Sequence, residues 1–136
     1  MRNLLIAAGL VFVLAGPAQA DGGKIAPLDA EMGGQVYLCG LKAQLADATK
    51  GPKQKAIAED AERCATKSRE KIKALVKAEY SKYPESDPVR IRIKALYSAY
   101  LTYLDASMWG KDLNESKEAL AFKDRVNEYR AEIELR

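Results

Sequence analysis

The side chains able to do chemistry in this 136-residue sequence are two cysteines and a set of carboxylates, because histidine is absent. Without imidazole the chain lacks the commonest general base, the commonest metal ligand and the usual partner of a serine or cysteine nucleophile. Cys39 and Cys64 have no C-x-x-C spacing and no third thiol beside them. A structural disulfide is therefore favoured over a redox-active or metal-binding pair.

Two close carboxylate pairs, Glu59 with Glu62 and Glu128 with Glu132, are the remaining candidates for acid–base chemistry. They interleave with lysine and arginine at helical spacing, which is typical of a solvated helix face. The sequence has no glycine-rich phosphate loop. We therefore expect no catalytic residue, no metal site and no cofactor, and we predict that the protein is not an enzyme.

The first twenty residues have the composition of a secretory signal peptide. Arg2 supplies the positive charge, residues 4–14 are apolar, and Ala18 and Ala20 form a small-x-small cleavage site. An apolar run of about ten to fourteen residues is shorter than the ~20 needed to span a bilayer. We expect export to the periplasm with cleavage after Ala20, and no membrane span in the mature chain.

The mature chain is predicted to have a flexible lead-in at 21–28 and one helical domain at 29–136. Its charge is unevenly spread, since 50–82 holds ten basic residues against five acidic ones. Such an excess could attract an anionic partner, or it could be the solvated face of a long helix, which is the favoured interpretation. Aromatic residues do not interleave with the basic ones, so we expect no nucleic-acid partner.

Gly51-Pro52 divides the stretch between the two cysteines into two predicted helices. Glycine suits the position after a helix C-terminus, and proline suits the first turn of the next helix. Helix 1 is expected from Asp29 to Thr49, and helix 2 from Pro52 to Tyr80 or Lys82. The cysteines lie at similar distances from the turn and on the apolar stripe of each helix, so an antiparallel hairpin predicts a Cys39–Cys64 disulfide.

Two more helices follow. Asp87-Pro88 predicts the start of helix 3, which runs to about Trp109, and Asp112 with Glu115 resembles a capping box that opens helix 4. Helix 3 is apolar nearly all round, as expected of a buried helix, although its small residues could instead pack on a second copy. The predicted fold is all-α, a four-helix up-and-down bundle with helices 1 and 2 linked by the disulfide.

Helix 1 carries an apolar face that the hairpin with helix 2 does not use. Leu38, Leu41 and Leu45 lie opposite Cys39, and such a face must be covered either by helices 3 and 4 or by another chain. Glycines at 33, 34 and 40 either delay the start of helix 1 or allow close approach of another backbone. We predict a partner-binding surface from the three leucines together with Tyr97 and Tyr103 of helix 3.

These observations predict an exported, non-enzymatic helical interaction module that binds a protein in the cell envelope, as an inhibitor, immunity-type factor or adaptor. A homodimer is a second form of the same hypothesis. The alternative is a periplasmic chaperone or a binder of anionic or apolar envelope ligands, suggested by the basic helix 2. A carboxylate-based hydrolase has no positive support, and no motif in the sequence resembles that of a known family.

Overall fold

The computed structural model describes residues 27–136. The predicted signal peptide at 1–20, its cleavage after Ala20 and most of the lead-in, at 21–26, lie outside the described residues. Within 27–136 the secondary structure is helical, with no strand. The four helices are α1 (Leu28–Ala48), α2 (Lys53–Tyr80), α3 (Pro88–Met108) and α4 (Lys117–Glu134).

The helix ends follow from local chemistry in three of the four elements. Gly51 has φ +86°, so it takes the left-handed conformation that separates α1 from α2. The Asp87 carboxylate accepts a hydrogen bond from the Val89 N–H at 2.9 Å and caps α3, with Pro88 as its first helical residue. Gly110, with φ +78°, follows the end of α3. These boundaries confirm the predicted ones to within one or two residues.

Consecutive helices run antiparallel, which confirms the up-and-down bundle. Between α1 and α2, Glu31 pairs with Lys71 and Lys42 pairs with Asp60. Residue numbers along α2 therefore fall as those along α1 rise. The other helices meet through Ser68 and Tyr100 for α2–α3, Tyr103 and Phe122 for α3–α4, and Gly40 and Ser107 for α1–α3, and α1 also reaches α4 through the pair Asp29 and Arg130.

The predicted disulfide is confirmed. Cys39 and Cys64 are bonded, with their Cα atoms 5.5 Å apart, and they link the middle of α1 to α2. Cys39 is fully buried. The rest of the predicted inner stripe of α1 is buried as well, namely Met32, Val36, Ala43 and Ala46. The hairpin and its rotation are therefore as the sequence indicates.

The core contains one internal polar pair. The hydroxyls of Ser68 and Tyr100 are hydrogen-bonded at 2.6 Å, and both side chains are buried. Each hydroxyl thus satisfies the other away from water. The largest fully buried apolar side chains around this pair are Met32, Ile72, Ile93, Leu96 and Leu104.

The predicted N-cap of α4, Asp112, is wrong by four residues. The Asp112 carboxylate accepts hydrogen bonds from the N–H groups of Asn114 and Glu115, but these bonds close a separate turn before the helix. Ser116 is the true cap, accepting from the Ala119 N–H at 3.2 Å. In both an Asx turn and a helix N-cap, the side-chain oxygen accepts hydrogen bonds from backbone N–H groups two or three residues later. The local sequence pattern therefore cannot distinguish the two.

The N-terminal boundary also differs slightly. α1 begins at Leu28, which the sequence had placed in the flexible lead-in, and this leucine is buried. The next residue, Asp29, is 4% exposed and accepts a hydrogen bond from Arg130 Nε at 2.9 Å. The start of α1 is thereby fixed to α4 by a contact that joins distant parts of the chain.

Candidate functional site

The outer side of α1 carries the largest run of exposed apolar side chains on one helix. Leu38, Leu41 and Leu45 are 50%, 45% and 57% exposed, and Tyr37 beside them is 48% exposed. Helices α3 and α4 therefore leave the predicted leucine surface half open to solvent. We call this surface the α1 face and define it by Gly34, Tyr37, Leu38, Leu41, Leu45 and Ala48.

The α1 face is exposed because of how α1 is rotated in the hairpin. Successive helical residues turn by 100°, so Cys39 and Leu41 point to nearly opposite sides. The disulfide from Cys39 to Cys64 holds the first of these sides against α2. Leu41 and its neighbours must then point away from the bundle.

The charged residues that border the α1 face are matched within the chain. Lys42 Nζ lies 2.6 Å from Asp60 Oδ2, and this hydrogen bond is the main cause that lowers the pKa of the Asp60 carboxyl. Glu31 pairs with Lys71 and also accepts from Gln35 at 3.1 Å. The bond from Lys71 is the main cause that lowers the pKa of Glu31. A protein docking on the α1 face would therefore meet no unpaired charge among these border residues.

The spacing along the α1 face is that of a helix-packing seam. Positions 34, 38, 41, 45 and 48 are separated by four, three, four and three residues, and none carries a charge. This spacing gives the 3.5-residue average at which two helices interlock their side chains over several layers. The five positions extend over about 20 Å of helix. The exposed apolar side chains of the α1 face therefore form one regular stripe along the helix.

Gly34 lacks an explanation inside the bundle, unlike Gly40. A Cβ added at Gly40 would lie 2.6 Å from Leu113 Cδ2 and 3.1 Å from the Ser107 Cβ, so close packing requires glycine there. At Gly34 an added Cβ would meet none of the other side chains of residues 27–136 within 4 Å. Glycine in a helix interior costs up to ~1 kcal/mol relative to alanine. The α1 face therefore contains a helix-weakening residue that the described chain does not need.

Tyr103 is not a surface residue, which corrects the predicted partner-binding set. It is only 7% exposed, its hydroxyl donates to the Leu113 carbonyl, and its ring centroid lies 5.3 Å from that of Phe122. Burial is the main cause that raises the pKa of the Tyr103 hydroxyl. Both its ring and its hydroxyl are used inside the bundle, so we leave Tyr103 out of the docking surface.

Tyr97 is half buried and lies apart from the leucines. Its ring stacks on Tyr100 with centroids 6.2 Å apart, and the Tyr100 hydroxyl contacts Ser68 of α2. Tyr97 thus belongs to the side of the bundle where α3 meets α2. Of the five predicted partner-binding residues, the structure brings together only Leu38, Leu41 and Leu45.

Besides Tyr37 of the α1 face, a further exposed aromatic residue was not predicted from the sequence. Trp109, directly after α3, is 86% exposed and borders a cleft of about 430 Å³ between α2 and α3. Arg69 and Asp105 form an ion pair in the wall of this cleft. Because Trp109 follows the last helical residue, the helical periodicity could not indicate which way it points.

A second cleft, of about 380 Å³, lies near the C-terminal end of α2 and contains a carboxylate that is already satisfied. Tyr83 and Tyr129 donate their hydroxyls to Glu79 Oε1 at 3.2 and 3.3 Å, and Lys82 lies 2.6 Å from Glu79 Oε2. Burial is the main cause that raises the pKa of Tyr129. The hydrogen-bonding groups in this cleft bind one another, which leaves it an apolar notch.

Three of the four carboxylates considered for catalysis form ion pairs: Glu59 on α2 lies 3.9 Å from Lys55, and Glu128 and Glu132 on α4 have arginine partners. Glu128 accepts from Arg92 and Arg125, and Glu132 lies 3.7 Å from Arg136. Across residues 27–136, the structure contains no cluster of three or more histidine, cysteine or acidic side chains suited to a metal ion. None of the helices found in that range is both long and apolar enough to cross a membrane.

Comparisons with protein-family models, with curated proteins and with solved structures find no match to this chain. We therefore infer function from the geometry of the chain alone. Its most specific surface feature is the α1 face, which is uncharged, apolar, regularly spaced and held by a disulfide from behind.

Proposed function

We propose that this protein is an exported, non-enzymatic interaction module that binds another protein through the α1 face. One observation carries the proposal: three leucines at helix-packing spacing remain half exposed on one face of α1. Their exposed apolar area, with that of Tyr37, is roughly 400 Å², a size at which patches on monomeric proteins are often functional.

The chemistry of the surface indicates the kind of partner. An amphipathic helix bound in a groove is recognised through anchors spaced three and four residues apart, which is the spacing of the α1 face. The border pairs Lys42–Asp60 and Glu31–Lys71 leave no charge to attract an acidic or basic segment. The proposed partner therefore presents a helix with its own uncharged leucine stripe.

The proposed compartment is the periplasm. The signal-like residues at 1–20 support export, with cleavage after Ala20. The Cys39–Cys64 disulfide supports an oxidising environment, because such bonds persist in exported proteins and are rare in the cytosol. Sequencing the N-terminus of the chain recovered after export tests this directly, with Asp21 as the expected first residue.

The docking proposal is tested by a double variant, Leu41→Glu with Leu45→Glu. Both side chains are half exposed, so the change should leave helicity and the midpoint of thermal unfolding close to those of the unmodified chain. Cross-linking in the intact envelope should give a defined adduct with the unmodified chain and none with the double variant. The matched control is Leu120→Glu, which changes a leucine 51% exposed on α4 and should keep the adduct.

Two outcomes would overturn the docking proposal. If the double variant loses its helical signal, the leucines contribute to the fold and not to a docking surface. If the double variant and Leu120→Glu give the same adducts as the unmodified chain, the contact with the partner lies elsewhere.

A second candidate is a binder of anionic envelope ligands. Lys67, Lys73 and Lys77 are exposed on α2, and no carboxylate of residues 27–136 lies within ion-pair distance of them. Binding through these lysines should weaken as salt rises. Replacing all three with glutamine should abolish binding to anionic vesicles, and binding that is unaffected by salt would contradict this candidate.

A further inference from the structure

We infer that the helix bound on the α1 face is α1 of a second copy of the same chain, packed antiparallel. This inference rests on the proposed function, because it names the partner of that surface. An isologous pair needs a surface that complements itself under a two-fold rotation. The α1 face meets this requirement through the order of its side chains.

The layers of the antiparallel pair follow from the seam spacing. In the antiparallel register that we infer, four of the five seam positions of one helix face seam positions of the other, and Ala48 faces Glu31. Leu38 of one copy then faces Leu41 of the second copy, and Leu45 faces Gly34. The two-fold axis repeats both layers, which gives four layers, two of leucine on leucine and two of leucine on glycine.

Gly34 selects this register. Leu45 is the most exposed leucine of the α1 face, and a leucine side chain needs a recess opposite it. Gly34 supplies the recess, since no atom of residues 27–136 beyond its chain neighbours and its own helix backbone lies within 4 Å of where its Cβ would be. An alternative register, in which one helix is shifted by one heptad, pairs Leu41 with Leu45 of the second copy. Gly34 would then lie beyond the end of the opposing α1 and would face no residue of it. The chosen register thus explains a glycine that residues 27–136 of one chain do not require.

The polar borders are compatible with the same register. Tyr37 faces Lys42 of the second copy, and Gln35 faces Gln44, so no like charges meet across these pairs. Lys42 keeps its ion pair with Asp60 of its own chain, on the side of α1 that faces α2. The antiparallel arrangement also opposes the two helix dipoles, which is the favourable orientation.

The size of the surface predicts a reversible dimer. Roughly 400 Å² of apolar side chain on each copy, with the polar border added, gives about 1,200 Å² in total, the lower end for specific protein interfaces. Contacts of this size without deeply buried aromatic anchors correspond to dissociation constants on the order of micromolar. The dimer should therefore form and separate with concentration.

The test is sedimentation equilibrium of the oxidised chain purified after export, from about 1 µM to 1 mM. We expect a monomer–dimer equilibrium in the unmodified chain, and at least a hundredfold weaker dimer for Leu41→Glu, which places a carboxylate in two leucine layers. The control Leu120→Glu should dimerise like the unmodified chain. A mixture of Leu38→Glu and Leu41→Lys should recover a dimer, because position 38 faces position 41 of the second copy.

The possible results separate this inference from the function on which it rests. A chain that stays monomeric up to 1 mM overturns the second-copy inference and leaves docking of a different protein intact. If mixing Leu41→Glu with Leu41→Lys recovers a dimer and mixing Leu38→Glu with Leu41→Lys does not, the proposed antiparallel register is wrong. Loss of helical circular dichroism in Leu41→Glu shows that the leucines belong to the core, and it overturns both proposals.

Discussion

Cys39 and Leu41 are two residues apart on α1 and face opposite sides of the helix: the cysteine is fully buried in its bond to Cys64, and the leucine is 45% exposed. The disulfide thus fixes the rotation of the same helix turn that displays the leucine. A docking surface benefits from such support, because a partner then need not order the helix on binding.

Removing the disulfide should destabilise the fold strongly. The bond closes a loop with a sequence separation of 25 residues, which corresponds to about 3–4 kcal/mol of unfolding free energy. We expect the double variant Cys39→Ser with Cys64→Ser to lose this amount in urea unfolding. Reductant should lower the urea midpoint of the unmodified chain and leave that of the double variant unchanged. A midpoint insensitive to reductant in the unmodified chain would contradict the prediction.

Two glycines of α1 should respond oppositely to alanine. Gly34→Ala should stabilise the monomer by about 0.5–1 kcal/mol, since alanine has the higher helix propensity and its methyl group meets no side chain of residues 27–136. Gly40→Ala should be destabilising by about 1 kcal/mol, because its Cβ would press on Leu113 and Ser107. Urea unfolding at low protein concentration measures both. Equal changes in unfolding free energy for the two variants would contradict the predicted difference in packing between the two glycines.

Gly34→Ala should at the same time weaken self-association. The added methyl group fills the recess assigned to Leu45 of the second copy, so a variant that is more stable as a monomer should dimerise less. A more stable monomer with unchanged dimerisation would contradict the register.

The buried hydroxyl pair should behave as a unit. Tyr100→Phe leaves the Ser68 hydroxyl buried without its partner, which should cost about 1–3 kcal/mol of unfolding free energy. Adding Ser68→Ala removes the unpaired hydroxyl. The double variant should therefore lose about 0.5–1.5 kcal/mol less unfolding free energy than the two single variants lose in sum. Urea unfolding of the unmodified chain, the two single variants and the double variant measures this difference. If the losses of unfolding free energy in the single variants simply add up in the double variant, the result would argue against the hydrogen bond.

Stability should fall in acid. Arg136, followed by the Val89 N–H, lowers the pKa of the Asp87 carboxyl, and Lys71 lowers that of Glu31. Because the folded pKa values lie below the unfolded ones, the unfolded chain takes up protons first as pH falls. Their stabilisation is therefore complete above about pH 5 and is lost between about pH 5 and pH 2.

The variant Asp87→Asn isolates one contribution to this acid response. Asparagine still caps a helix but cannot titrate or pair with Arg136, so the variant should lose less stability between pH 5 and pH 2. The measurement is the urea midpoint between pH 5 and pH 2. The control variant is Asp124→Asn, which changes an exposed carboxylate of α4. An acid response identical to that of the unmodified chain would remove Asp87 from the account.

The sequence predicted most of the fold because its decisive signals are local. Gly51-Pro52 and Asp87-Pro88 set their boundaries through the conformations of two or three residues, and the cysteine spacing then determined the hairpin. The start of α4 was missed because Asp112 and Ser116 offer the same capping chemistry within five residues. Between them lies Leu113, which is buried against Gly40 of α1, a contact with a distant part of the chain that no local pattern reveals.

The candidate site was only partly predictable. Helical periodicity placed the three leucines opposite Cys39, but it could not tell whether another helix would cover them. Tyr103 was misplaced because its hydroxyl partner, the Leu113 carbonyl, lies in the aperiodic connection before α4. Gly34 became informative only once the space around each glycine was known.

The most direct test of the central claim places a photo-activated cross-linking amino acid at position 41 of the exported chain, with position 120 as the control, and irradiates intact cells. The proposed α1 face predicts an adduct at position 41 and none at position 120, and the antiparallel dimer predicts that its mass is twice that of the chain. An adduct to a different protein would keep the docking surface and overturn the dimer. No adduct at position 41, or equal adducts at both positions, would contradict the assignment of the α1 face as a docking surface.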